Sequence, residues 1–280
     1  MLKRLARKIL PRSLWTRLQG WQMRRTLAAY PRRVVRHHYG GIELAVELAD
    51  PLGAGWYDHD WEVLPEWRLL IQHGLRPGAR VFDLGAHQGV VALVLAEAVG
   101  PRGQVVAVEP NPHNVRQCFR NRELNAMPWI EVVQAAVAAE EGTLLFNQGL
   151  NGAAANISTY GGVMDVPAVT IDSLSKRFGL PNVLYIDVEG YEVQALRGAS
   201  RTLAEQPDCF VEIHVGRGLE AVGGSVDEVL AFFPTTTYEL WAYSEGDTSI
   251  QPFAQFPSER LRERFFLLAL RKPYQASYNC

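Results

Sequence analysis

Nine residues decide the fold that this sequence predicts, and they read Val81-Phe82-Asp83-Leu84-Gly85-Ala86-His87-Gln88-Gly89. An apolar run ends there in an acidic residue and a glycine loop, and a helical pattern begins at about Val90. Gly85 allows the backbone to turn sharply towards a ligand, and Gly89 allows the helix to lie close to the strand. The glycine spacing differs from the G-x-G-x-x-G of dinucleotide-binding folds, which disfavours a nicotinamide oxidoreductase.

Short apolar runs alternate with helical stretches from residue 76 onwards. This alternation predicts βαβ units and therefore an α/β fold with a doubly wound, mostly parallel sheet. The carboxyl ends of parallel strands meet at one edge of the sheet, where such folds bind ligands. The predicted strands are Arg80 to Leu84, Gln104 to Val108, Ile130 to Ala135, Val183 to Val188, Cys209 to His214, Tyr238 to Tyr243 and Phe265 to Leu270.

Carboxylates end the first two predicted strands. Glu109, followed by Pro110 and Asn111, lies about 20 residues beyond the glycine loop, where nucleotide-binding folds hold ribose hydroxyls. A carboxylate can accept two hydrogen bonds from a vicinal diol, and Asp83 can face the cationic part of a ligand with an amino-acid end. The paired features favour a ligand site over the alternative, a solvated Glu109 that precedes a proline turn.

Ionisable residues also end two later strands. Asp187 and Glu189 share one face of an extended strand, as do Glu212 and His214 in the next. Acidic and basic side chains at the carboxyl edge usually serve a site rather than a core. The alternative for one carboxylate is to cap the helix that begins near Tyr191.

The amino-terminal segment differs in charge from the rest of the chain. Its first 38 residues hold eleven Lys and Arg and no acid, whereas the remainder has a net charge of −13. Apolar residues recur there at helical spacing on both sides of Pro11, which predicts two short basic amphipathic helices. We expect residues 1–38 to attach to an anionic membrane surface or an acidic partner. The alternative is an appendage whose apolar stripe packs on the main domain.

The composition excludes several classes of protein. The chain has 280 residues, 48% hydrophobic and 21% charged, which is typical of a globular protein with a large core. Three cysteines without a C-x-x-C exclude a disulfide framework or zinc ribbon and suit a reducing compartment. No apolar run reaches the roughly 20 residues of a membrane-spanning helix. We therefore expect a cytoplasmic protein, peripheral at the inner membrane surface through residues 1–38 and without a nucleic-acid partner.

The strand-end motifs, taken in order, resemble the FkbM family of S-adenosylmethionine-dependent methyltransferases. The resemblance covers about Trp56 to Tyr243, and its most specific block is Ile186-Asp187-Val188-Glu189-Gly190. The family more often has Asn where His87 stands and Ser where Ala92 stands. The other matching motifs are Asp83 to Gly89, Glu109 to Pro112 with Asn121 and Asn125, Thr170 to Leu174, and Val211 to His214.

The resemblance implies a Rossmann-like class I methyltransferase with a seven-stranded sheet that binds S-adenosylmethionine and releases S-adenosylhomocysteine. This domain would span residues 76–280, after a basic extension of residues 1–38 and a cap of loops and a helix, residues 39–75. By position, the methionine end of the cofactor lies against the glycine loop, namely Asp83, Gly85, Ala86, His87 and Gly89. The ribose lies against Glu109, with Pro110 and Asn111 nearby, and the adenine against Ala135 and Ala136.

The implied reaction is transfer of a methyl group to a hydroxyl of a sugar, glycolipid or polyketide-like acceptor by in-line displacement. Asp187 and Glu189 would border both the cofactor and the acceptor. A base that removes the hydroxyl proton would assist the attack. His214 is the leading candidate, since an unperturbed imidazole titrates near about pH 6.5, and Glu189 is the second. The alternative is that His214 is a structural residue held in one tautomer.

Two other interpretations stay open. A divalent metal held by Asp187, Glu212 and His214 would acidify the hydroxyl, but the spacing gives no closed ligand set and does not favour it. The protein could also be a non-catalytic cofactor-binding module recruited by its basic segment, which the ionisable residues at the strand ends disfavour. Methylation of nucleic-acid bases is disfavoured because Asp-Val-Glu-Gly replaces the Asn/Asp-Pro-Pro-aromatic motif of those enzymes.

Overall fold

The fold is that of a computed structural model, which describes residues 12–147, 149 and 163–273. The first of the two predicted basic helices lies outside these residues. The helices are α1 (Arg12–Ala29), α2 (Pro51–Tyr57), α3 (Pro65–Leu70), α4 (Val90–Val99), α5 (Pro112–Leu124), α6 (Ile171–Phe178), α7 (Glu192–Arg197), α8 (Ser200–Ala204) and α9 (Val226–Ala231). Single turns of 3₁₀-helix cover Glu220–Val222, Phe253–Gln255 and Ser258–Arg262.

The strands fall into a large sheet, a small sheet and a hairpin. They are β1 (Arg33–Tyr39), β2 (Ile42–Leu48), β3 (Arg80–Leu84), β4 (Gln104–Val108), β5 (Ile130–Val133), β6 (Ala136–Val137), β7 (Gly142–Asn147), β8 (Val163–Val169), β9 (Val183–Ile186), β10 (Asp208–Ile213), β11 (Tyr238–Ser244), β12 (Gln251–Pro252) and β13 (Phe265–Arg271).

The large sheet has the order β12-β11-β13-β10-β9-β3-β4-β5. Strands β10, β9, β3, β4 and β5 are parallel, and β13 runs antiparallel between β10 and β11. All seven predicted strands are present, and β12 adds a two-residue edge. The predicted Rossmann-like α/β class is therefore confirmed, with a mostly parallel sheet in which β13 and the two-residue β12 run antiparallel to the other strands.

Alternate residues of the parallel strands face two separate hydrophobic layers. In β4, Val105 and Ala107 pack on the layer that contains α4, whereas Val106 and Val108 pack on the layer that contains α6 and α7. Helices on both faces explain why these strands read as continuous apolar runs, since neither face meets water. The polar residues that follow the runs are then left at the carboxyl edge.

Strands β1 and β2 form an antiparallel hairpin that packs against α5. The side chains of Asn121 and Asn125 bind the backbone of β2, accepting hydrogen bonds from the N–H groups of Glu47 (2.8 Å) and Ala45 (2.9 Å). Because β1 begins at Arg33, residues 33–38 belong to this hairpin rather than to the helical extension predicted for residues 1–38.

Two further elements differ from the sequence prediction. The small sheet, in the order β6-β8-β7, is not among the predicted strands, and it follows β5 directly along the chain. The helix predicted within residues 39–75 is short, Pro65–Leu70, because Leu64 precedes a proline, which disfavours the helical conformation there, and because turns follow Leu70. Among the described helices, none combines the length and the apolarity that a membrane crossing requires.

Candidate functional site

A cavity of about 390 Å³ opens at the carboxyl ends of β3, β4 and β9. Of the predicted catalytic residues, Asp187 and Glu189 line it and His214 does not. Gly89 and Asn111 also lie outside its described lining. Nine residues predicted to bind the cofactor do line it, namely Asp83, Gly85, Ala86, His87, Glu109, Pro110, Ala135, Ala136 and Asp187.

Gly85 is required where the ends of β3 and β9 meet. Its φ is +94°, and a Cβ placed on it would lie 1.7 Å from the carbonyl oxygen of Asp187. Gly89 serves packing instead, since its Cβ would lie 3.2 Å from the Sγ of Cys118 in α5. The first glycine thus lines the cavity, whereas the second, predicted to hold the methionine end, lies at the contact between α4 and α5 and outside the described lining.

Asp83 presents an unsatisfied carboxylate to the cavity. Its side chain is buried, and its Oδ2 has no hydrogen-bond partner among the described residues. Burial and the nearby charge of Glu109 raise the pKa of Asp83 to about 7. A buried acid without a partner is costly, so the site favours a ligand that brings a positive charge or a hydrogen-bond donor.

Glu109 is held in place by the glycine loop and the start of α5. Its carboxylate accepts hydrogen bonds from the N–H groups of Asn111 (2.8 Å) and His87 (3.0 Å) and from Nδ2 of Asn114 (3.3 Å). Burial raises its pKa to about 7 despite these bonds. A carboxylate has roughly four lone-pair sites, so acceptor capacity is left for a ligand hydroxyl. Asn111 acts indirectly, since its side chain caps α5 by accepting from the N–H of His113.

The segment before β3 supplies an aromatic wall that the sequence did not place at the site. Trp56, Tyr57 and Trp61 line the cavity opposite the sheet edge. The hydroxyl of Tyr57 is hydrogen-bonded to Nδ1 of His87 at 2.7 Å. His87 itself has a φ of +48°, a conformation uncommon outside glycine. This pair joins α2 to the glycine loop.

Asp50 anchors the same wall and was also missed. Its buried carboxylate caps α2, accepts from Nε2 of Gln88 (2.6 Å) and contacts Nε2 of His113 at 2.7 Å. The sequence Asp50-Pro51 is typical of a helix start, so it indicates only the capping role of Asp50. Its partners lie 38 and 63 residues away along the chain, and no spacing rule connects them.

His214 lies at the other end of the cavity, behind Asp187 and Glu189. Its Nδ1 is 2.7 Å from Oε1 of Glu192, and its Nε2 is 3.4 Å from Glu189 and Glu212 and 3.7 Å from Asp187. Burial opposes a charged ring, but the hydrogen bond that Nδ1 donates to Glu192 and the surrounding carboxylates outweigh it and raise the pKa of His214 to about 10.

The prediction that His214 is the general base assumes an unperturbed imidazole, and this raised pKa disfavours that role. A ring whose pKa is raised in this way holds a proton at neutral pH unless another cation takes its place, so it is not available to remove the proton of a hydroxyl. Its side chain is also only 2% exposed. Glu189, the second candidate, lines the cavity, and Asp187 beside it has its pKa raised by burial and by the charge of Glu212.

Parts of the chain are similar to known proteins. A family model described as the methyltransferase FkbM domain matches residues 83–240, which include both ends of the cavity. The hexuronic acid methyltransferase AglP of Haloferax volcanii is 29% identical over 155 residues, which are 53% of this chain and 61% of that protein. The match therefore stops short of the full length of that relative.

Solved structures of methyltransferases also align with the chain. The methyltransferase FkbM from Methylobacillus flagellatus KT aligns with a TM-score of 0.45 and 17% identity, over 68% of this chain and 43% of that chain. The Streptococcus mutans protein SMU.1697c, solved in complex with SAH, aligns with a TM-score of 0.45 and 12% identity, over 74% of this chain and 96% of that chain.

Proposed function

Because the chain belongs to the FkbM methyltransferase family, as its strand-end motifs predicted, we propose that it methylates a hydroxyl of a sugar-containing acceptor with S-adenosylmethionine. The observation that carries the proposal is a single cavity with an unpartnered Asp83 at one end and the carboxylates of Asp187 and Glu189 at the other. One end suits the cofactor and the other suits an acceptor that must lose a proton.

The residues of the first end fit S-adenosylmethionine. The orphaned Oδ2 of Asp83 suits the ammonium of the methionine, and Glu109 has acceptor capacity for ribose hydroxyls. Ala135 and Ala136 leave a small apolar surface for the adenine. When bound, this cofactor supplies an electrophilic methyl group on a sulfonium.

Glu189 is the residue that we assign to the acceptor proton. It follows β9 with a φ of +52°, and Gly190 follows with +94°, so the chain turns sharply and directs Glu189 to the cavity. A carboxylate there can accept a hydrogen bond from a hydroxyl and take its proton as the oxygen attacks. The remaining task of the site is to align the acceptor and exclude water, which the aromatic wall assists.

A sugar acceptor is supported by two observations. Trp56 and Trp61 present aromatic faces at the cavity, which suit the apolar face of a pyranose ring. The relative AglP is named as a hexuronic acid methyltransferase. A glycolipid or free glycan would offer the same ring and hydroxyl.

The test uses the purified full chain with labelled S-adenosylmethionine and a panel of monosaccharides, uronic acids, oligosaccharides and lipid-linked glycans. We expect a product with the mass gain of one methyl group, its oxygen located by tandem mass spectrometry. Glu189→Gln should bind the cofactor in calorimetry but transfer no methyl group. The exposed Glu97→Gln should bind the cofactor and also transfer its methyl group. Cofactor binding without transfer to any acceptor would instead favour the non-catalytic module.

We further propose that α1 lies on an anionic membrane surface. Leu14, Leu18 and Trp21 recur at helical spacing and are 50%, 45% and 51% exposed, so this apolar face is not packed on the domain. The helix contains four arginines and no acid, and Arg25 lies over the ring of Trp21. Apolar residues flanked by cations favour anionic lipid, whereas two copies of this face would repel each other.

Vesicle sedimentation tests this contact. The chain should sediment with phosphatidylglycerol vesicles at low salt and not with phosphatidylcholine, and Leu18→Ser with Trp21→Ser should abolish it. The control is Leu180→Ser, which removes a leucine of similar exposure, 48%, elsewhere on the surface. Sedimentation that is unchanged in the α1 variant would reject the proposal.

A further inference from the structure

The environment of Nε2 of His214 is unusual for a buried histidine. The side chain is 2% exposed, and Nε2 points into a group of carboxylates formed by Asp187, Glu189 and Glu212. The three nitrogen–oxygen distances are 3.7, 3.4 and 3.4 Å, all longer than the roughly 2.7–3.2 Å of N–H···O hydrogen bonds. The nitrogen is thus directed at the acids without a bond of ordinary length to them.

The separation of 3.4 Å between Nε2 and Glu212 falls within the spacing of ligands around one metal ion, and that of 3.7 Å to Asp187 is slightly longer. Two ligand atoms that each lie about 2.0–2.2 Å from a transition-metal ion are roughly 3.0–3.6 Å apart. One ligand atom each from Asp187, Glu212 and His214 fall within 4.8 Å of one another. In addition, Oδ1 of Asp187 is buried and has no hydrogen-bond partner among the described residues.

The opposite nitrogen of the ring is already fixed as it is in metal sites. Nδ1 of His214 is 2.7 Å from Oε1 of Glu192, which is fully buried and also accepts from the N–H of Gly190 at 2.8 Å. Histidines that ligate metals commonly donate their second N–H to a carboxylate, which sets the tautomer and aims the other nitrogen at the ion. Glu192 fills that position here.

We propose that Asp187, Glu212 and His214 bind one divalent first-row metal ion at the acceptor end of the cavity. One imidazole and two carboxylates form a mixed nitrogen and oxygen set, which suits Mn²⁺ or Zn²⁺ better than Mg²⁺. Asp187 lines the cavity and is 37% exposed, which gives the ion a path from solvent.

Two other sources of positive charge could balance these carboxylates in place of a metal ion, namely protons and the side chain of Arg264. Nη1 of Arg264 lies 2.7 Å from Oε1 of Glu212, and its other nitrogen pairs with Glu245. Arg264 therefore offsets part of the charge of Glu212. Among the described residues, it forms no ion pair with Asp187. A proton on His214, or one shared between Asp187 and Glu212, is the remaining alternative, and metal titration distinguishes it.

The role of the ion rests on the proposed methyl transfer, although its binding does not. A bound divalent cation would take the acceptor hydroxyl as a further ligand and lower its pKa, so that Glu189 removes the proton more easily. His214 would then be a metal ligand rather than a base.

Binding is measured without cofactor or acceptor, on chelator-treated full-length protein titrated with Mn²⁺ by electron paramagnetic resonance and with Zn²⁺ by calorimetry. We expect about one ion per chain and much weaker binding of Mg²⁺. Asp187→Asn and His214→Gln should remove this binding, and Glu192→Gln should weaken it by roughly 10- to 100-fold, as for loss of an orienting carboxylate.

The matched control is Glu245→Gln, which removes a nearby carboxylate that is not a proposed ligand and should leave Mn²⁺ binding unchanged. Asp187→Asn keeps the size of the side chain, and circular dichroism with thermal unfolding shows that each variant is folded. Binding that is absent, or equal in parent and Asp187→Asn, overturns the proposal. If metal-free protein still transfers methyl groups, the proposed role of the cation is wrong and the proposed methyl transfer stands. If Mn²⁺ binds but no transfer is found, the metal site stands and the proposed methyl transfer is wrong.

Discussion

The two ends of the cavity both concentrate buried acids, but they balance the charge differently. Glu109 accepts hydrogen bonds from neutral donors, and Oδ2 of Asp83 has no partner among the described residues. Burial raises the pKa of each acid to about 7. At the other end, Asp187, Glu189, Glu192 and Glu212 surround His214, whose pKa is raised to about 10.

The difference indicates what each end is built to receive. An acid pair without a cation is stabilised when a ligand supplies one, as the ammonium of an amino acid does. A cluster that already holds one imidazolium still has an excess of carboxylates, and it suits a divalent cation or a substrate that gives up a proton. The same residue types therefore serve binding at one end and chemistry at the other.

The largest expected difference between the two ends of the cavity is in turnover, on substitution of Glu189. We expect Glu189→Gln to lower turnover by about 10²- to 10⁴-fold, the usual contribution of a general base, with affinity for S-adenosylmethionine little changed. Steady-state kinetics and calorimetry on the same preparation measure the two quantities. Glu97→Gln is the control, and an equal loss in cofactor affinity would show that the two ends are not separate.

The stability of the protein should be sensitive to a single methyl group at Gly85, where the two ends of the cavity meet. Gly85→Ala would place a Cβ 1.7 Å from the carbonyl oxygen of Asp187 at a φ of +94°. We expect the free energy of unfolding to fall by more than about 3 kcal/mol. Gly41→Ala, with a similar φ of +86° and no atom within 4 Å, isolates the backbone cost and should lose only about 1–2 kcal/mol. Equal losses in chemical denaturation would refute the steric argument.

Local patterns predicted the frame of this site well. The bounds of β3 and β4 agree with the predicted strands, because continuous apolar runs ending in Asp83 and Glu109 leave little choice of register. Acids and His214 at later strand ends were likewise predictable, since parallel strands bring their carboxyl ends to one edge.

The surroundings of these residues could not be predicted in the same way. The pKa of His214 is raised because β9 and β10 are neighbours, which brings Glu192 of α7 within 2.7 Å of its ring. Asp50 contacts the glycine loop across 38 residues of chain, and the aromatic wall contacts it through Tyr57. Such contacts depend on packing between distant segments, which no periodicity encodes.

At the cofactor end, Glu109→Gln should weaken S-adenosylmethionine without affecting the acceptor end. We expect a loss of about 1–3 kcal/mol, the cost of a hydrogen bond to a charged acceptor together with weaker support for the glycine loop. Calorimetry measures it, with Glu97→Gln as the control. Mn²⁺ binding in the same variant should stay at the parent value, and a change there would mean that Glu109 acts across the cavity.

The smallest effect should be a dependence of cofactor affinity on pH. Since Asp83 and Glu109 have pKa values of about 7, each is largely protonated at pH 6 and ionised at pH 8. The ammonium of the cofactor is attracted only by the ionised form, so affinity should rise by about tenfold across this interval. His214 does not titrate in this interval because its pKa is raised to about 10. Asp83→Asn should flatten the profile and the exposed Asp227→Asn should not, whereas an affinity that is constant or falls with pH would contradict the assignment of Asp83 to the ammonium.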